Sequence, residues 1–93
     1  MFVAILQVEL GIPGAESLKD RRRVVKSTVD RLRQRFGAAA AETGIADDWH
    51  TASIGIALVS GDAKLIRSLA ARVRNFLENL REAEVTDLQT EFL

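Results

Sequence analysis

The first ten positions alternate. Phe2, Ala4, Leu6, Val8 and Leu10 stand against Val3, Ile5, Gln7 and Glu9. Successive side chains of a strand point to opposite faces, so this period of two predicts a β-strand. Its second face is apolar only in the first half, which suits a central strand. "GIPGAE" then breaks the pattern with two glycines and the only proline. Ser17 follows as a helix N-cap, with Asp20 three residues on in the capping-box position. Leu18, Val25, Val29, Leu32 and Phe36 recur at steps of seven, four, three and four, one face of a helix about five turns long. Gly37 supplies the residue that takes the left-handed conformation after a helix end.

The next segment, "AAAAETGI" at 38–45, divides two signals. Alanine favours helix, and propensity alone extends the first helix to Ala41. Gly37 opposes this, and "ASIGIALVS" just beyond is a strand in need of a partner, so 38–45 is predicted as a strand and 46–50 as the connection. Residues 51–60 alternate Ala52, Ile54, Ile56 and Leu58 against Thr51, Ser53, Gly55, Ala57 and Val59. Asp62 in "SGD" N-caps a second helix, whose apolar stripe is Leu65, Ile66, Leu69, Val73, Phe76, Leu77 and Leu80. "EAEVTDLQTEFL" closes the chain as an edge strand with a charged outer face.

The order is β-α-β-β-α-β. Two interleaved right-handed crossovers give a ferredoxin-like α+β fold, a four-stranded antiparallel sheet with both helices on one face. Val25, Val29, Leu32 and Phe36 are expected to pack on Leu69, Val73 and Phe76. The other sheet face keeps Val3, Ile5, Ala57 and Val59, and an uncovered apolar face marks an interface, here predicted to be that of a homodimer.

At 93 residues the chain makes one domain, 1–93, which buries only about 60–65 % of its unfolded surface. It has no cysteine, which excludes disulfides, thiolate nucleophiles and cysteine-ligated metals. Its apolar runs are far shorter than a membrane span, and "MFVAILQVEL" lacks the basic leader of a signal peptide, so a cytoplasmic protein is expected.

Charge changes the picture. The net charge is zero, yet residues 16–36 hold eight basic and three acidic groups, a local excess of five. "SLKDRRRVVKS" at 17–27 contains Lys19, Arg21, Arg22, Arg23 and Lys26. Cations near a helix N-terminus oppose its dipole, so the run breaks a local rule and points to function. Arginine forks donate paired hydrogen bonds to phosphate, and a helix N-terminus offers free amides. Lys19, Arg21, Arg22, Arg23, Lys26 and Arg33 are therefore the candidate anion-binding residues, with RNA as the expected partner. The alternative is a solvated face paired with Glu16, Asp20, Asp30 and acids elsewhere.

Other motifs carry less. "GIPG" at 11–14 has the bare form of the KH phosphate clamp but follows a strand, where a tight turn explains both glycines. "DDWH" at 47–50 holds the only histidine, and its three hard ligands read as a polar turn rather than a metal site. The first loop lacks the glycine-rich, arginine-bearing form of acylphosphatases, which share the fold. No aromatic stands in 51–60, so base stacking on the sheet, as in RNA-recognition motifs, is unsupported. No catalytic residue, cofactor, metal or small-molecule substrate is expected.

"SLKDRRRVVKSTVDRLRQRF" after a first strand, then "AE", then "W..A.IG.A.VS.D", resembles the small bacterial YlxP-like family over nearly the whole chain. The resemblance implies the ferredoxin-like fold. It also implies a ribosomal connection, because genes of the family often lie among those for translation and ribosome maturation. It carries no catalytic residue. After Glu42 the chain departs from the family's valine-rich second strand and acidic-aromatic connection. The expected function is that of a non-enzymatic accessory protein binding structured RNA or the ribosome through its first helix. The alternative is an interaction or self-association module that uses the open sheet face.

Overall fold

The computed structural model describes residues 1–44 and 48–93. It contains β1 (Phe2–Gly11), α1 (Leu18–Phe36), β2 (Ala39–Glu42), β3 (Thr51–Ser60), α2 (Ala63–Glu78) and β4 (Glu84–Phe92). The strands form one antiparallel sheet in the order β2-β3-β1-β4, the ferredoxin-like arrangement expected. β1 lies at the centre and β4 at an edge.

Local chemistry sets the helix ends. The Ser17 hydroxyl accepts from the Asp20 amide at 3.1 Å, and the Asp20 carboxylate accepts from the Glu16 amide at 3.0 Å. The return arm of the cap thus reaches Glu16 rather than the N-cap itself. At the other end Gly37 has φ 61°, and its amide donates to the Arg33 carbonyl at 3.2 Å. The Asp62 carboxylate caps α2 by accepting from the amides of Lys64 and Leu65.

β2 is a four-residue strand, shorter than the span predicted. Ala39–Glu42 pairs with β3 from Ala57 back to Ile54, and the Thr43 amide extends the ladder by donating to the Ser53 carbonyl at 2.9 Å. Residue 45 of the predicted strand and residues 46–47 of the predicted connection lie outside the described residues.

Alternation sorts the sheet into two faces. Ala4, Leu6, Val8 and Leu10 of β1 and Ala52, Ile54, Ile56 and Leu58 of β3 are buried under the helices. Val24, Val25, Val29 and Leu32 of α1 and Ile66, Ala70, Val73, Phe76 and Leu77 of α2 complete the core, with Phe36 and Leu69 packed partly buried against it. The rings of Phe36 and Phe76 meet edge to face at 5.7 Å. Leu18 and Leu65, assigned to the apolar stripes, are 45 % and 48 % exposed. Both sit in the first turn of their helix, and on α1 the buried arc runs instead through Arg21, Val24, Val25 and Thr28. Thr28 is accommodated there because its hydroxyl donates to the Val24 carbonyl at 2.9 Å.

The open face is divided. Cross-strand pairs Val3–Val59 and Ile5–Ala57, with Ala39 and Ala41 of β2, make one half apolar. Gln7 and Glu9, paired with Gln89 and Asp87 of β4, make the other polar.

Candidate nucleic-acid interface

The apolar stripe holds α1 on the sheet and thereby decides where each cation of the basic run goes. Arg21 turns inward. It lies at the i, i+3, i+4, i+7, i+11 spacing shared with Val24, Val25, Thr28 and Leu32, and its side chain is only 6 % exposed. Its Nε donates to the Thr51 carbonyl at 2.8 Å and its Nη2 pairs with the Glu42 carboxylate. Arg21 therefore leaves the solvent-facing set, because burial among β2 and β3 groups removes it from any external phosphate. Arg33 is exposed but engaged. Its Nε and Nη2 donate to the Ala40 carbonyl at 3.1 and 2.7 Å, joining the end of α1 to β2.

The other four stay on the surface. Nη1 of Arg23 donates to both oxygens of Glu82 at 2.9 and 3.3 Å, and this hydrogen bond together with the Glu82 charge raises the pKa of the guanidinium. Lys26 pairs with Asp30 one turn on, at 2.6 Å. Both pairs are solvent-exposed, so neither holds its cation firmly against the fold. Lys19 and Arg22 form no ion pair among the described residues. Arg22 and Lys26 border a shallow groove between α1 and β2, which Val25, Val29 and Ala41 also line. The structure thus brings Lys19, Arg22, Arg23 and Lys26 together on the exposed first turns of α1.

Three further arginines were not singled out by the sequence. Arg31 and Arg35 lie on the flank of α1 that faces α2, where they meet Arg72 beside the Phe36–Phe76 pair. The i, i+4 spacing of Arg31 and Arg35 was legible, but their meeting with Arg72 was not.

The weaker motifs resolve simply. "GIPG" is a turn in which the Ile12 amide donates to the His50 carbonyl at 2.7 Å and the Ala15 amide to the Ile12 carbonyl at 3.1 Å. Ile12 is buried and anchors it. In the "DDWH" stretch, residue 47 lies outside the described residues, while Asp48, Trp49 and His50 are exposed. Asp48 accepts from the His50 amide, which makes a local polar turn. Among the described residues no group of three or more His, Cys, Asp or Glu side chains is placed to hold a metal, and no helix is long and apolar enough to cross a membrane.

These features define a ferredoxin-like α+β domain that carries a cationic helix on its surface. A crystal structure of an Agrobacterium tumefaciens protein shares this fold, with a TM-score of 0.55 at 16 % identity, covering 100 % of this chain and 91 % of that one. The family model described as "Protein of unknown function (DUF503)" matches residues 3–90, and the chain belongs to that family. It is also 32 % identical over 90 residues to the uncharacterised protein YlxP of Bacillus subtilis (strain 168), covering 97 % of this chain and 98 % of the relative. The YlxP-like resemblance read along nearly the whole chain is therefore established.

Proposed function

We propose that this protein is a non-enzymatic accessory factor of the cytoplasm that binds the phosphate backbone of structured RNA through the exposed first turns of α1. The observation that carries the reading is the set Lys19, Arg22, Arg23 and Lys26, all on the surface of one helix. Two of them lack an acidic partner among the described residues, and two are held only by displaceable surface pairs. The chain outside residues 16–36 has a net charge of minus five, so the positive excess lies on this helix. Ribosomal RNA is the first RNA to test, because of the translation genes that accompany the YlxP-like family.

The test replaces Arg22, Arg23 and Lys26 with glutamine and measures affinity for ribosomal RNA at several salt concentrations. Phosphate binding releases counterions, so each lost contact flattens the log–log salt slope by about one unit. The variant is expected to stay folded and to lose about three units of slope. Equal affinities and slopes for the two proteins would refute the reading.

A second reading rests on the open sheet face. Val59 is 62 % exposed beside Val3, Ile5, Ala57 and the β2 alanines, an apolar half-face that a second copy of the chain would cover. Sedimentation equilibrium decides it, since a strict monomer at tens of micromolar rejects the homodimer.

A further inference from the structure

The groove between α1 and α2 has a volume of about 600 Å³, within the roughly 300–1,000 Å³ of small-ligand sites. Three arginines surround it. The guanidinium carbon of Arg31 lies 5.2 Å from the centre of the Phe76 ring. That of Arg35 lies 5.2 Å from Phe76 and 5.6 Å from Phe36, and that of Arg72 lies 5.7 Å from Phe36. Three positive charges thus share two rings that themselves pack edge to face. Asn75 and Asn79 stand along the same groove, where the Asn79 amide nitrogen donates to the Asn75 backbone carbonyl at 2.7 Å and to its side-chain oxygen at 3.3 Å.

Among the described residues no acidic side chain lines this groove, and none of the three arginines forms an ion pair. The contrast with the N-terminal run is direct, because there Arg21, Arg23 and Lys26 each meet a carboxylate. Arg31 and Arg35 are like charges at i, i+4, an arrangement that destabilises an isolated helix, and Arg72 adds a third charge from α2. The ring faces offset part of this repulsion by cation–π attraction. Such contacts leave the N–H edges available. Of the three, only Arg31 donates to a backbone carbonyl, that of Ser27 through its Nε at 3.4 Å. Arginine forks match the geometry of phosphate oxygens, and guanidinium planes accept a stacked base.

We infer that the α1–α2 groove is a phosphate-recognition site in which Arg31, Arg35 and Arg72 hold the phosphate of a nucleotide while Asn75 and Asn79 face its base. The nucleotide is either free or part of an RNA strand, and the recognition chemistry is the same. This site stands on residues distinct from Lys19, Arg22, Arg23 and Lys26, so it survives or falls separately from the function proposed above.

Isotope-labelled protein titrated with inorganic phosphate, uridine and adenosine monophosphates and a single-stranded oligoribonucleotide provides the test, read by NMR. Mononucleotides are expected to shift the side-chain resonances of Arg31, Arg35, Arg72, Asn75 and Asn79. The Arg35→Gln, Arg72→Gln variant should bind them more weakly by about tenfold or more for each arginine. The glutamine variant of Arg22, Arg23 and Lys26 should bind them as the wild type does. An oligoribonucleotide that binds more tightly than its mononucleotide identifies a strand as the source, and one that binds no more tightly identifies a free nucleotide. Should the double variant fail to fold, the wild-type shift map alone decides. No groove shifts with any probe at millimolar concentration, or equal affinities of wild type and folded double variant, would overturn the inference.

Discussion

Replacing Arg21 with alanine separates structure from binding within the basic run. The side chain is 6 % exposed and donates to two acceptors from different elements, the Thr51 carbonyl of β3 and the Glu42 carboxylate of β2. Removing one partner of a buried ion pair costs about 3–5 kcal/mol, because the other charge is left uncompensated. Glu42 is 34 % exposed, so water recovers part of its solvation. The Thr51 carbonyl loses a charged donor, which contributes about 1.5–3 kcal/mol. An overall loss of about 3 kcal/mol follows, at the low end of the buried-pair range. At roughly 4–8 °C per kcal/mol for a domain of this size, the melting temperature falls by about 12–24 °C. Urea denaturation followed by circular dichroism measures the free energy, and a thermal melt measures the shift. Arg21→Met keeps the aliphatic stem and isolates the polar contribution. A loss within the ±0.5 kcal/mol or so of an ordinary surface substitution would show that Arg21 is not part of the fold's interior. RNA affinity per folded molecule should stay unchanged, the reverse of the outcome expected for Arg22, Arg23 and Lys26.

Other outcomes follow from the same packing. Phe36→Ala removes one ring of the edge-to-face pair; Phe36 is only partly buried, so the cost should lie at or below the roughly 3–5 kcal/mol of a fully buried phenylalanine, as chemical denaturation will show. Arg33→Gln releases the Ala40 carbonyl at a cost of about 1 kcal/mol, read as faster hydrogen exchange of β2 amides with little change in global stability. Val59→Asp places a charge on the open apolar half-face and should shift sedimentation toward monomer while the melting temperature of the monomeric fold stays nearly constant. An unchanged sedimentation profile would count against self-association through that face.

Much of this architecture was legible from the residues alone. The alternation in 2–10 and 51–60 and the spacing of Val25, Val29, Leu32 and Phe36 are local periodicities, and side-chain direction repeats with the backbone. Ser17, Gly37 and Asp62 marked helix ends because cap chemistry involves only the nearest residues. Arg21 was grouped by its charge with the solvent-facing cations, and its place on the buried arc with Val24, Val25 and Thr28 emerged only in the structure. The alanine segment was placed correctly as a strand, but its length depended on pairing with β3.

What the chain could not announce is which groups meet across elements. The acceptor of Arg21 in β3 is thirty residues away, and Glu82, which pairs with Arg23, is fifty-nine residues away. Arg72 joins Arg31 and Arg35 only because α1 and α2 lie side by side on one sheet face. A helical period gives the direction of a side chain from its own axis and nothing about the neighbouring axis. The sequence by itself therefore determined the order of elements, the buried stripes and the existence of a positive helix. Tertiary structure alone decided which positive charges are neutralised, which are buried and which three meet with no acidic partner among the described residues.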